Sequence, residues 1–182
     1  NIIKAWYFFS LGHMDSSESH LKAAEECLSQ NVLTKNSPFS TDKDNWFRGK
    51  ISALRATIDA HRGNVPGIIE NSHKAMKFLP PGDMESRSTV SMCLGDAYLL
   101  SGNMPMEYKS RLKAQEESKA SGHFYMILLN GMKLALTLRM QGGLASVLEI
   151  CNEYLQLAKD RGMSHLFVVG WLYSIWGEAL AE

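Results

Sequence analysis

Net charge is missing from this chain: Lys and Arg number 19 and Asp and Glu number 19. A domain that binds nucleic acid neutralises phosphates and shows a basic excess. Direct DNA binding by this chain is therefore disfavoured. Cysteine is scarce as well. Cys27, Cys93 and Cys151 lie far apart, form no C-x-x-C and cannot all pair with one another. A disulfide scaffold is excluded, and small buried hydrophobes in a reducing cytoplasm are the better reading. No apolar run approaches the ~18 residues that span a bilayer, so no membrane role is expected. The opening NIIKAWYFFSLG lacks both a basic leader and a small-residue cleavage site, which argues against a signal peptide. It begins as if inside a helix, and WGEALAE ends inside another, so the chain reads as a segment of a longer protein.

The motifs of common enzyme chemistry are missing too. There is no G-x-x-x-x-G-K-[ST], no G-x-G-x-x-G and no G-x-S-x-G. Ser-x-x-Lys occurs at Ser19/Lys22, Ser40/Lys43 and Ser110/Lys113, a frequency that chance gives to so short a motif. The histidines His13, His20, His61, His73, His123 and His165 form no i, i+4 pair, and His20 with Cys27 supplies too few ligands for a metal. They read as surface or capping residues. No catalytic residue, metal or cofactor is assigned, and the chain is read as non-enzymatic.

What remains is an apolar content of 45%, enough for a sizeable core, organised by a repeat. Gly63, Gly102 and Gly142 are spaced by 39 and 40 residues, and Gly82, Gly122 and Gly162 by 40 and 40. Two interleaved series of helix stops mean two helices per repeat. The junction Gly63-Asn64-Val65-Pro66 recurs as Gly102-Asn103-Met104-Pro105. Gly ends one helix in the left-handed conformation, Asn caps the next, and Pro fits its first turn. Between junctions the apolar spacing is helical, as in Ile127, Leu128, Met132, Leu134, Leu136 and Leu138. Strand signals are absent. The spacing predicts about nine helices in an all-α array, with hairpins over 1–30, 45–80, 84–121 and 123–162 and a further helix over 165–182. The interval from Gly12 to Gly63 is longer, 51 residues, and its excess falls on a polar extended loop over 31–44, read as a tolerated surface insertion.

These residues carry a resemblance. Leu94-Gly95-x-x-Tyr98-x-x-x-Gly102, followed by Ala114, resembles the tetratricopeptide pattern, with Glu107 standing where a small residue belongs. The run Gly49-Lys50-Ile51-Ser52-Ala53-Leu54-Arg55-Ala56, continuing to Arg62-Gly63-Asn64, is similar to the "LRA" segment of MalT-like tetratricopeptide regions of large LuxR-type regulators. Lys50 and Asn64 depart from the acidic residues usual there. Ala5-Trp6 to Leu11-Gly12, with Leu21-x-x-Ala24-Glu25, resembles the preceding repeat, and Trp176-Gly177-Glu178 the start of a later helix. The resemblance implies a right-handed solenoid of antiparallel hairpins, cytoplasmic and bacterial. It implies a nucleotide-binding switch domain before the repeats and a helix-turn-helix DNA-binding domain after them. The repeats would form the effector-sensing or protein-interaction arm. A generic tetratricopeptide adaptor in another multidomain protein is the alternative.

In such arrays the first helix of each hairpin lines the concave face. With Ala56, Gly95, Ala135 and Gly177 as close-packing positions, the inner-face candidates are Ala53, Thr57, Ala60, Met92, Asp96, Leu99, Met132, Leu136, Arg139, Ser174 and Glu178. That mixture suits a peptide, a protein helix or a small effector, and equally a solvated face. The aromatics Trp6–Phe9 and Trp171–Trp176 fall on the two end helices, where packing against a further repeat or self-association would cover them.

Overall fold

The computed structural model describes residues 1–33 and 41–182. Among the described residues there are nine helices and no strand: α1 (Ile2–Ser10), α2 (Met14–Leu33), α3 (Thr41–Arg62), α4 (Val65–Phe78), α5 (Met84–Leu100), α6 (Met104–Ser121), α7 (Phe124–Met140), α8 (Leu144–Asp160) and α9 (Phe167–Ala181). Of the loop expected over 31–44, residues 31–33 belong to α2 and 41–44 to α3; 34–40 lie outside the described residues.

The Gly-Asn junctions fold as their residue types require. Gly63 has φ +69° and Gly102 has φ +72°. In that conformation the Asn64 amide reaches back to the Asp59 carbonyl at 2.9 Å, and the Asn103 amide to Tyr98 at 2.8 Å. These bonds close the last turn of the outgoing helix. The Asn64 side chain then accepts from the Gly67 amide and the Asn103 side chain from the Met106 amide, both at 3.3 Å. Each caps a helix whose first turn holds a proline. Gly142 repeats the outgoing half of the motif without an Asn: the Gly143 amide bonds the Leu138 carbonyl at 3.0 Å.

Gly82 departs from its series, because α4 has already stopped at Phe78. Leu79 precedes Pro80 and is held extended, φ −70° and ψ 129°, by clash with the proline ring. The chain then enters α5 through Asp83, whose carboxylate accepts from the Ser86 amide at 3.1 Å and from the Trp46 indole at 2.7 Å. One side chain thus caps α5 and ties it to α3.

Successive helices pack as antiparallel hairpins, and α3 against α5 and α7 against α9 join hairpin to hairpin. The core is unevenly composed. At the N-terminal end Ala5, Leu21, Leu28, Ile51, Leu54 and Ile58 form an apolar cluster. At the C-terminal end a larger one gathers Leu128, Ala135, Val147, Cys151, Leu172 and Ile175. Between them α5 and α6 meet largely through polar residues. Ser88, Ser91, Glu107, Arg111, Gln115, Glu117 and Ser118 are all buried there beside Ala97 and Ala114. Small side chains let the two helices approach closely, and the polar groups bond across the seam: Ser91 donates to Glu117 at 2.6 Å.

Candidate functional site

Helices α1, α3, α5 and α7, the first of each hairpin, curve around a common groove of about 720 Å³. Trp6, Phe9 and Ser10 come from α1, and Thr57, Ala60 and His61 from α3. Thr89, Met92, Cys93, Asp96, Leu99 and Leu100 come from α5, and Tyr125, Met126, Leu129 and Lys133 from α7. The lining is mostly apolar and aromatic, with few polar groups, the usual make-up of a small-ligand site. Three methionine and leucine side chains along α5, Met92, Leu99 and Leu100, supply an adaptable wall.

One ion pair sits on the floor. Asp96 Oδ1 accepts from Lys133 Nζ at 2.9 Å and from Arg111 Nη2 at 2.8 Å. Burial would raise the Asp96 pKa, but Lys133 and Arg111 outweigh it and hold the carboxyl below its ordinary value. Arg111 belongs to α6 and is 2% exposed. Its Nη1 donates to the Met92 carbonyl at 3.0 Å, and its Nη2 lies 3.6 Å from Glu107. Glu107 is wholly buried and accepts from Thr137 Oγ1 of α7 at 2.6 Å. A polar chain thus runs from the groove through α5 to α6 and back to α7. The other hydroxyls are spent locally. Thr57 donates to the Ala53 carbonyl at 2.9 Å, and Thr89 to Glu85 at 3.2 Å. His61 Nδ1 bonds the Thr57 carbonyl at 3.0 Å, and its ring stands edge-on to Phe9. The buried Cys93 thiol is pushed up to about 12, chiefly by burial and then by the Asp96 charge, and is a poor nucleophile.

Of the inner-face positions named from the sequence, Thr57, Ala60, Met92, Asp96 and Leu99 line this groove. Ala53 is buried between α3, α4 and α5. Met132 and Leu136 lean on the C-terminal cluster instead. Arg139 pairs with Glu178 of α9, and Ser174 belongs to a shallow depression with His165, Phe167 and Trp171 at the far end. The inner-face positions named from the sequence did not include His61, Thr89, Cys93, Leu100 or the α7 stripe Tyr125, Met126, Leu129 and Lys133. On α7 the register decides. Neighbouring positions are ~100° apart on a helix, so Met132 turns to one face and Lys133 to the next. A Cβ on Gly131 would come within 2.7 Å of the Tyr154 ring, so Gly131 is a close-packing position on α7 as Gly95 is on α5. The positions three before, one after and four after it are Leu128, Met132 and Ala135, so it does not disclose Lys133 either.

Among the described residues, no group of three His, Cys, Asp or Glu side chains could hold a metal ion, and no helix is long and apolar enough to cross a membrane. His123 caps α7, its Nδ1 accepting from the Met126 amide at 3.3 Å.

A family model, the MalT-like TPR region, matches residues 49–182, well over half of the chain. The chain belongs to that family. The match opens at Gly49, the start of the Ile51–Ala56 run in α3. No curated protein and no solved structure matches the chain. Helices α1 and α2 precede the matched residues, yet Ala5, Leu21 and Leu28 pack directly on Ile51 and Leu54 of α3. The MalT-like TPR region is a helical repeat module, a type generally non-catalytic and devoted to interactions.

Proposed function

We propose that this chain is the effector-sensing or protein-binding arm of a LuxR-type transcriptional regulator, and that its ligand occupies the groove between α1, α3, α5 and α7. The observation that carries the reading is the groove itself: four alternate helices converge on one mostly apolar recess of about 720 Å³ with the Asp96–Lys133 ion pair on its floor. A recess of that size falls within the ~300–1,000 Å³ of small-ligand sites. Contact with DNA is assigned to a separate domain, because the chain has no net positive charge. A cytoplasmic location goes with this role. Arg139, Ser174 and Glu178, toward the C-terminal end, would serve a larger protein partner extending beyond the groove.

Two measurements test this. Melting the whole protein against a panel of small molecules should reveal a stabilising ligand, since binding at ~100 times its Kd raises stability by ~2.7 kcal/mol. The shift should vanish when Leu99→Trp fills the groove. Sequencing the coding region on either side separates regulator from adaptor. A phosphate-binding loop upstream and a helix-turn-helix downstream support the regulator, and the lack of both leaves the adaptor.

A further inference from the structure

The two partners of the groove's ion pair are unequally committed. Arg111 already holds Asp96 at 2.8 Å, and it is fixed in turn by the Met92 carbonyl and by Glu107. Asp96 therefore keeps a buried cation without Lys133. Among the described residues Lys133 makes one bond, to Asp96, and its ammonium carries further donors. Its side chain is 27% exposed against 2% for Arg111, so it can turn to a ligand. The charge count points the same way. Two cations share one carboxylate oxygen, Lys133 at the groove and Arg111 buried beneath it. The compensating Glu107 lies behind Arg111 and is engaged by Thr137. An anion entering the groove meets Lys133 first. An ammonium approaching Asp96 would be repelled by Lys133 in the groove and by Arg111 beneath the carboxylate. The walls, meanwhile, offer Trp6, Phe9, Met92, Leu99, Tyr125 and Leu129 to an apolar body.

We propose that the groove binds a small apolar-bodied anion, a monocarboxylate with a hydrocarbon or aromatic tail, its head on Lys133 and its tail along α1 and α5. This inference rests on the groove being a ligand site. The ion pair then does more than hold α5 to α7. Lys133 selects the head group, while Asp96 and Arg111 keep the floor in place.

The test uses the full chain and the fluorescent probe 1-anilinonaphthalene-8-sulfonate, displaced by decanoate, decan-1-ol or decylamine. Decanoate should displace the probe at roughly tenfold lower concentration than either of the others, the ratio of a ~1.4 kcal/mol preference. Lys133→Met should bring decanoate to the level of decan-1-ol, and Lys133→Arg should keep its advantage. Circular dichroism checks that each variant is folded, and the head-group ranking in the unaltered chain stands whatever the variants do. Decylamine or decan-1-ol displacing as well as decanoate would overturn the inference, as would an advantage that survives Lys133→Met. Leu99→Trp distinguishes the two levels. If it abolishes probe binding but no head-group preference exists, the anion inference alone fails. If the probe binds Leu99→Trp unchanged, the groove reading fails with it. A carboxyl-terminal peptide that outcompetes decanoate, by contrast, would show a protein tail as occupant and reject the small acid.

Discussion

Gly95 lies flat against the guanidinium of Arg111: a Cβ at position 95 would come within 2.7 Å of Nη1 and 2.8 Å of Cζ. Arg111 cannot retreat, because its two terminal nitrogens are bound to Met92 and Asp96. The small residue of the tetratricopeptide pattern is therefore fitted here to a cation. Gly95→Ala should lower stability by about 1–3 kcal/mol, as overpacking does, despite the gain in helix propensity. The measurement is the urea midpoint, and an unchanged or raised midpoint would show that the seam yields.

Acid should loosen the same seam. The Asp96 carboxyl titrates below its ordinary 3.8 in the folded chain, because Lys133 and Arg111 outweigh its burial. A depressed folded-state pKa means stability that is whole above the unfolded value and lost as pH falls through the folded one. Denaturation midpoints of the wild-type chain should therefore drop below about pH 4. Asp96→Asn should be less stable at pH 7 by about 1–3 kcal/mol, since Arg111 loses the nearer of its two anions. The gap between the two should narrow at acid pH, and a gap that stays constant down to pH ~2 would mean that Asp96 contributes nothing by its charge.

At the junctions the expected loss is purely conformational. No atom lies within 4 Å of a Cβ built on Gly63 or Gly102, yet both have positive φ. Gly63→Val and Gly102→Val should each cost at least about 1–2 kcal/mol from the left-handed backbone alone. Equal stability in thermal melts would mean that the turn has another conformation available.

The hydroxyl of Thr137 answers a buried charge. It donates to Glu107 Oε1 at 2.6 Å, while Oε2 has no partner among the described residues. Thr137→Val leaves the carboxylate emptier and should cost about 1–3 kcal/mol. Thr57→Val is the comparison, since among the described residues that hydroxyl bonds only the carbonyl of its own helix turn and the Cys93 sulfur. A loss at Thr57 as large as at Thr137 would count against the role given to Glu107.

These cases show what the sequence discloses and what it conceals. Gly63, Asn64 and Pro66 act through the local backbone, so a stretch of four residues defines the turn. The α3 and α5 part of the groove was legible because Ala56 and Gly95 set the register of Thr57, Met92, Asp96 and Leu99. On α7 two small residues, Gly131 and Ala135, stand on neighbouring turns, and both are buried. Counted from either, the register gives Met132 and not Lys133, so no small residue on α7 discloses the groove stripe. The polar seam was concealed for another reason. Glu107 in place of a small residue marked a departure, and Arg111 stands i, i+4 from it on the same helix, but only tertiary packing brings Thr137 of α7 to Glu107 and Asp96 of α5 to Arg111.

The last expectation concerns α9. Phe167 is 78% exposed, Trp171 51% and Tyr173 54%, while the opposite face of the helix, through Val168, Leu172 and Ile175, is buried on α7 and α8. Phe167 and Trp171 stand one helical turn apart, their rings 6.0 Å from each other and edge to face. Two such rings beside the depression lined by His165 and Ser174 form a continuous apolar patch. Each unit of a solenoid buries its faces against neighbours, and a patch of this kind on an end helix is where the next neighbour would stack. At the other end Ile3, Tyr7 and Leu11 are also more than half exposed. The chain should therefore associate with itself. Its light-scattering mass should rise with concentration, and Phe167→Glu with Trp171→Glu should hold it monomeric without altering its helical circular dichroism. Burial of the two rings is worth about 1.5–3 kcal/mol each at most, so association should be weak and reversible, in the micromolar range or above. A mass that stays monomeric at the highest attainable concentration would show that these aromatics are tolerated in water.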